Sequence, residues 1–190
     1  MGALRAQLAS HNLHKLRELE AALPGWSLSL LPADDYPPEE GDTYAENARA
    51  KAAFGRRLAA PGAWVLGEDS GIEVEALGGR PGVESARWAG SEHVARLLAA
   101  LADLTDRQAR YVCELVALDP GGGEVRGRGV LRGSIAEEPR GKEGFGFDPI
   151  FIPEGETRTV AQLGNAWKSG NSHRARAAKA LRRQVERDER

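Results

Sequence analysis

The sequence is most sparing in cysteine. Cys113 is the sole one in 190 residues, so no disulfide can form within the chain and no cysteine-rich metal site is available. Its setting, "YVCELVAL", is an apolar run, which predicts a buried structural thiol. Excess charge is also lacking, with a formal net charge of −2. A nonspecific nucleic-acid binder needs a basic field, and this chain has none. No apolar run approaches transmembrane length. The opening "MGALRAQLAS" lacks the apolar core of a signal peptide, and its Met-Gly start carries Ala6 where a myristoylation motif wants Ser or Thr. These absences leave a cytoplasmic enzyme or binding protein with no membrane or nucleic-acid partner. No repeat, low-complexity tract or linker divides the chain. Its length fits one domain over 1–190, with room for two lobes and a real core.

What is present reads as alternating strands and helices. Leu4 to Ala9 predicts a short strand. Leu16, Leu19 and Leu23 recur as one helical face, and Pro24-Gly25 stops it. "WSLSLL" alternates as a half-buried strand does. "DDYPPEEGD" is a loop. Thr43 to Glu46 has capping-box spacing, so a helix should begin there and run to about Ala60. A strand from Ala63 to Leu66 follows. Ile72, Val74 and Ala76 alternate again, and "LGGRPGVESARWAG" is a glycine-punctuated segment, a loop with a short helical turn. Ser91 is placed to cap a helix bearing Val94, Leu97, Leu98 and Leu101. "RYVCELVAL" and "VRGRGVLRGSI", joined by "DPGGGE", predict an antiparallel hairpin. "GKEGFGFDPIFIP" is a loop entering a strand. Ser172 opens a last helix with Ala175, Ala178, Leu181 and Val185 on one face, ending in a solvated charged tail. The expected class is α/β with a mixed central sheet flanked by helices, two lobes and the active site in the cleft between them.

"GEDSG" poses the main chemical question. Glu68 and Asp69 are adjacent acids just where the apolar stretch Ala63–Leu66 stops. Taken alone, such a pair is a solvated surface feature. At the carboxyl end of a buried strand, where α/β proteins bind ligands, the pair becomes tolerable around a cation. Magnesium is the natural one, being a hard ion that bridges carboxylates to phosphate. In a loop the two acids need not face opposite sides, so one could hold metal while the other activates water. Glu39 or Glu40 of "PPEEGD" would complete the donor set.

Cations sit where helix dipoles favour anions. Lys15 follows "LASHN" at a helix start, and His173-Arg174 follow Ser172 at another. An anionic ligand would repay both arrangements. Ser10, Asn12 and Lys15 are candidate phosphate contacts, although no Walker A glycine pattern is present. His11, His14 and His93 taken singly read as packing or surface residues. "GFGFDP" places Phe145 and Phe147 around Gly146, with Asp148 next. Such rings stack on a nucleobase or pack in the core, and the residues alone weigh both equally.

These motifs, in this order, resemble the inosine triphosphate pyrophosphatase family, also called Ham1, over nearly the whole chain. "LASHNLHKLREL" resembles its Thr-Gly-Asn-x-x-Lys phosphate motif, and "EEGDTYAENARAKA" its acidic loop and helix. "GEDSGIEVEALGGRPGVESARWAG" is similar to its Asp-Asp-Ser-Gly-Leu signature. "GFGFDPIFIPEG" and "KSGNSHRARA" match its base-recognition segments. Ser10 and His11 stand where the family usually has Thr and Gly, and Glu68 where it has Asp.

The resemblance implies Mg2+-dependent hydrolysis of the purine nucleoside triphosphates ITP, dITP and XTP to monophosphate and pyrophosphate, by a homodimer. It implies Asp69 as general base, with Glu39, Glu68 and Asp69 at the metal. Ser10, His11, Asn12, Leu13, His14 and Lys15 are then the triphosphate segment, and Ser70 a substrate contact. Phe145, Gly146, Phe147, Asp148, Lys168, His173 and Arg174 are then base and phosphate contacts. The competing expectations are a diphosphatase for other nucleotides, a non-catalytic nucleotide-binding regulator and a nucleic-acid-binding protein.

Overall fold

The computed structural model describes residues 3–88 and 90–188. The Met1-Gly2 start, Ala89 of the glycine-punctuated segment and the last two residues of the charged tail lie outside the described residues. Six strands form one sheet in the order β2-β1-β3-β4-β5-β6. They are β1 (Leu4–Leu8), β2 (Trp26–Leu30), β3 (Trp64–Val74), β4 (Gln108–Leu118), β5 (Glu124–Ile135) and β6 (Phe151–Pro153). The helices are α1 (Leu13–Ala22), α2 (Tyr44–Arg56), α3 (His93–Ala100), α4 (Val160–Asn171) and α5 (His173–Asp188). β1 pairs in parallel with β2 and with β3, whereas β5 and β6 are antiparallel, so the sheet is mixed. β4 and β5 are neighbours in the sheet joined by a short turn, as the expected hairpin requires. Asp119 shapes that turn by accepting from the Gly121 and Gly123 amides at 2.7 and 2.9 Å.

The chain divides into two compact units. The first comprises Met1–Asp69, Cys113–Gly129 and His173–Arg190, and the second Ser70–Val112 and Val130–Ser172. The first has a core of Leu8, Leu19, Leu23, Leu66, Cys113, Leu115 and the α5 residues Ala177, Ala178, Leu181 and Val185. Cys113 is buried there, as its apolar run predicts. The second has its own core of Ile72, Val74, Leu97, Leu101, Tyr111, Leu131, Phe147 and Phe151.

Four sequence expectations need correction. The largest concerns β3, which runs on through Glu68 and Asp69 to Val74 instead of stopping at Leu66. Extended pairing continues because both carboxylates find buried partners. α2 ends at Arg56, short of Ala60, because the chain tightens into a turn with Leu58 N–H donating to Gly55 O at 3.0 Å. Ser91 does not cap α3. It lies in a 3-10 turn over Gly90–Glu92, and Glu92 occupies the cap position with no side-chain hydrogen bond. α4 was not anticipated at all. Thr159 and Gln162 form a full capping box at its start, and Gly164, with φ +86°, breaks it before Lys168.

Gly67 explains how α2 reaches the central strand. A Cβ built at this residue would lie 1.9 Å from the Ala48 carbonyl oxygen and 2.6 Å from the Ala52 nitrogen. The helix backbone therefore rests directly on the strand one residue before the acid pair. Gly67→Ala should push α2 away and cost at least about 1–3 kcal/mol. At about 2–4 °C per kcal/mol for a chain of this size, thermal unfolding should show a clearly lowered Tm. An unchanged Tm would mean that α2 can shift without loss.

Candidate active site

Because Glu68 and Asp69 are consecutive strand residues, their side chains point to opposite faces of the sheet. This resolves the repulsion between neighbouring acids by giving each its own set of cations. Both are buried, at 1% and 3% relative exposure.

On one face, Glu68 Oε1 accepts from Arg174 Nη2 at 2.8 Å and Nε at 3.1 Å. Lys15 Nζ stands 2.5 Å from its Oε2. Arg174 also donates to Glu18 at 2.6 Å, and the Cys113 thiol lies 3.4 Å from Glu68 Oε1. Burial opposes the Glu68 charge, but Arg174 and Lys15 outweigh it and hold the carboxyl well below the usual range. Burial and the neighbouring Glu68 charge push the Cys113 thiol well up, so it stays an unreactive thiol. On this face two carboxylates, Glu68 and Glu18, meet an ammonium and a guanidinium.

On the other face, Asp69 meets α2. Asn47 Nδ2 donates to Asp69 Oδ2 at 3.0 Å, and Lys51 Nζ donates to Oδ1 at 3.3 Å and to the Glu68 carbonyl at 3.1 Å. Lys51 also pairs with Glu39. Burial, joined by the negative charges of Glu39 and Glu68, raises the Asp69 carboxyl above its ordinary value despite Lys51. Burial works against the Lys51 ammonium, but Asp69 and Glu39 more than compensate and raise it. Here two carboxylates, Asp69 and Glu39, converge on the Lys51 ammonium. Glu40, the alternative to Glu39, is exposed. Among the described residues there is no cluster of three or more His, Cys, Asp or Glu side chains placed to hold a metal ion.

Asn47 and Lys51 were missed by sequence reasoning. The available signal was two polar residues at i and i+4 on an otherwise alanine-rich helix face, "AENARAKAA". Ser10 and Asn12 act first on their own backbone. Asn12 caps α1, accepting from the His14 and Lys15 amides at 2.9 and 3.2 Å, and its own amide donates to Ser10 Oγ. Leu13 and His14 are exposed at the start of that helix, which has no acid in its first turn. His173 is buried beside Arg174 at the start of α5. All these residues belong to the first unit.

The second unit gathers another group. Asp148 is buried and accepts from Lys168 Nζ at 2.6 Å, the Phe145 amide at 2.8 Å and the Tyr111 hydroxyl at 3.3 Å. Lys168 is thereby held with its ammonium 4.6 Å from the Phe145 ring centroid, a cation–π arrangement. Gly146 has φ +63°, the turn that lets Asp148 fold back to the Phe145 amide. Phe145 is half-buried, whereas Phe147 is packed in the core with its ring 4.9 Å from that of His93. Ser70, half-buried, follows Asp69 in β3. Tyr111 is a further member that the sequence did not single out.

The fold and these two groups define an α/β protein on a mixed sheet, with paired charges buried at the middle of its central strand. A Ham1 family model matches residues 6–184, and the chain belongs to that family. It is 44% identical over 176 residues to the dITP/XTP pyrophosphatase of Bdellovibrio bacteriovorus, covering 89% of this chain and 86% of that protein. It is 46% identical over 188 residues to the dITP/XTP pyrophosphatase of Mycobacterium bovis, covering 92% and 91%. Among solved structures, the Staphylococcus aureus Ham1 protein superposes with a TM-score of 0.82 at 33% identity, covering 97% of this chain and 99% of that one. A HAM1 protein from Coxiella burnetii matches with a TM-score of 0.82 at 34% identity over the same shares.

Proposed function

We propose that this protein hydrolyses the deaminated purine nucleoside triphosphates ITP, dITP and XTP between the α and β phosphates, releasing monophosphate and pyrophosphate. Its relatives named dITP/XTP pyrophosphatase support the substrate class. The observation that gives the reading a mechanism is Asp69, a buried carboxylate of raised proton affinity held between Asn47 and Lys51. Such a group is suited to orient a water and take its proton as the α phosphorus is attacked. Lys15, next to the capped start of α1, supplies positive charge for the triphosphate.

A magnesium ion (Mg2+) fits the donor chemistry at Glu39 and Asp69, two carboxylates drawn together at the Lys51 ammonium that offer the hard oxygen ligands this ion takes. When bound, it would neutralise charge on the phosphate oxygens. Glu68, already balanced by Arg174 and Lys15, is assigned to supporting that region. Lys168, fixed by Asp148 beside Phe145, is a donor suited to the 6-keto oxygen of a deaminated purine. Adenine offers an amino group there, which leaves the donor unpaired and is strongly rejected. We further read the protein as a cytoplasmic homodimer acting on free nucleotides. Among the described residues no helix is long and apolar enough to cross a membrane.

The test is pyrophosphate release from ITP, dITP, XTP, ATP and GTP, each with Mg2+ and with EDTA. Release from the first three should exceed that from ATP by about 100-fold or more, and chelation should abolish it. Equal turnover of ATP would remove the base-discrimination argument. Binding of ITP without release would make the protein a nucleotide-binding regulator.

A further inference from the structure

The family resemblance puts glycine where this chain has His11. Among the described residues, no residue other than glycine has positive φ, so the backbone at His11 does not call for glycine. The imidazole reaches sideways. Its Nε2 lies 2.8 Å from the Ala33 carbonyl oxygen, and its ring centroid is 4.6 Å from that of Tyr36 at 61°, an edge-to-face contact.

Tyr36 then joins two further segments. Its hydroxyl donates to the Leu31 carbonyl at 2.9 Å. Its ring meets Phe54 at 5.7 Å and 68°, and the Arg57 guanidinium covers Phe54 at 5.4 Å. Ser10 begins the triphosphate segment. Residues 31–40 carry Glu39. Phe54 lies on α2, the helix of Asn47 and Lys51. Three segments whose charged groups must stay in register thus meet at one phenol ring, all within the first unit.

We propose that His11 and Tyr36 form a clamp holding the segment Ser10–Lys15 in register with the loop that bears Glu39. Both are then positioning residues for the triphosphate and not contacts of it. The inference rests on the proposed function. A substrate that needs the docked arrangement binds with an affinity reduced by the fraction docked. If losing the clamp leaves the loop docked about a tenth to a third of the time, KM rises about three- to tenfold. The chemical step follows docking, so kcat should change less than KM. Two residues acting through one contact should also give effects that do not multiply.

The experiment is steady-state kinetics with ITP for His11→Gly, Tyr36→Leu, the double variant and Tyr36→Phe. Amide hydrogen exchange over 31–40 is measured alongside, without substrate. The clamp predicts a KM raised about three- to tenfold in His11→Gly and little further rise in the double variant over Tyr36→Leu. Tyr36→Phe keeps both ring contacts and loses the hydroxyl, so it should fall between parent and Tyr36→Leu. Exchange over 31–40 should quicken in His11→Gly. Unchanged exchange, single effects that multiply, or a kcat that falls as steeply as KM rises would each overturn the proposal. A parent chain that turns over no triphosphate would instead remove the proposed function, and with it the positioning role. Exchange over 31–40 would then still show whether the clamp exists.

Discussion

Asp69→Asn should lower turnover of ITP by about 100- to 10,000-fold, the range spanned by a positioned general base, while leaving the fold intact. The asparagine is nearly isosteric, and its carbonyl can still accept from Asn47 Nδ2, which donates to Asp69 at 3.0 Å. Lys51 keeps its pairing with Glu39. Burial raises the proton affinity of Asp69, so its ionised form is disfavoured in the folded state. The penalty is present where the group is ionised, above its raised folded value, and disappears as pH falls and the proton binds. Without metal, the variant should therefore be as stable as the parent or more so near neutral pH, with the difference shrinking on acidification. Activity lost without stability lost is the signature of a residue kept for chemistry. Near-normal turnover in a folded Asp69→Asn variant would remove the general-base assignment.

Local sequence signals recovered most of the elements. The capping box at Thr43, the alternation in "WSLSLL" and the apolar face of Ala175, Ala178, Leu181 and Val185 all appear in the structure. α4 carried an equally good signal in Thr159 and Gln162. The spacing of Val160, Leu163 and Trp167 is apolar at helical period, but Gly164, at φ +86°, interrupts the helix between them, and a short run broken by glycine reads as loop. The acid pair shows the deeper limit. A run of apolar residues that ends in Glu-Asp looks like a strand giving way to a loop. Whether it continues as strand depends on Arg174, 106 positions away in sequence from Glu68, and on Lys51. No local window contains those partners. The same holds for Arg174, which the sequence offers as a ligand contact and the structure holds between Glu68 and Glu18. Cation placement at helix starts revealed where charge collects, and the tertiary pairing determines what that charge faces.

Glu68→Gln should be among the most destabilising single changes in the first unit. Glu68 is 1% exposed and lies between Arg174, also 1% exposed, and Lys15. Glutamine keeps the shape but removes the charge that both the Arg174 guanidinium and the Lys15 ammonium face. Breaking a buried pair from one side costs about 3–5 kcal/mol, which for a chain of this size lowers Tm by roughly 6–20 °C. Glu68→Asp keeps the charge on a shorter arm and should lose less. The pH dependence separates this from a packing defect. Arg174 and Lys15 hold the Glu68 carboxyl well below its ordinary value of 4.5. Its contribution is therefore present above that ordinary value and is lost only as pH falls through the lower folded one. The parent's advantage over Glu68→Gln should stay level from neutral pH down to about 5 and shrink only at stronger acidity. An advantage that vanished between pH 7 and 5 would place the stabilising ionisation on another group. No loss of Tm at neutral pH would mean that the Arg174 guanidinium is held without the Glu68 charge, by Glu18 and its other surroundings.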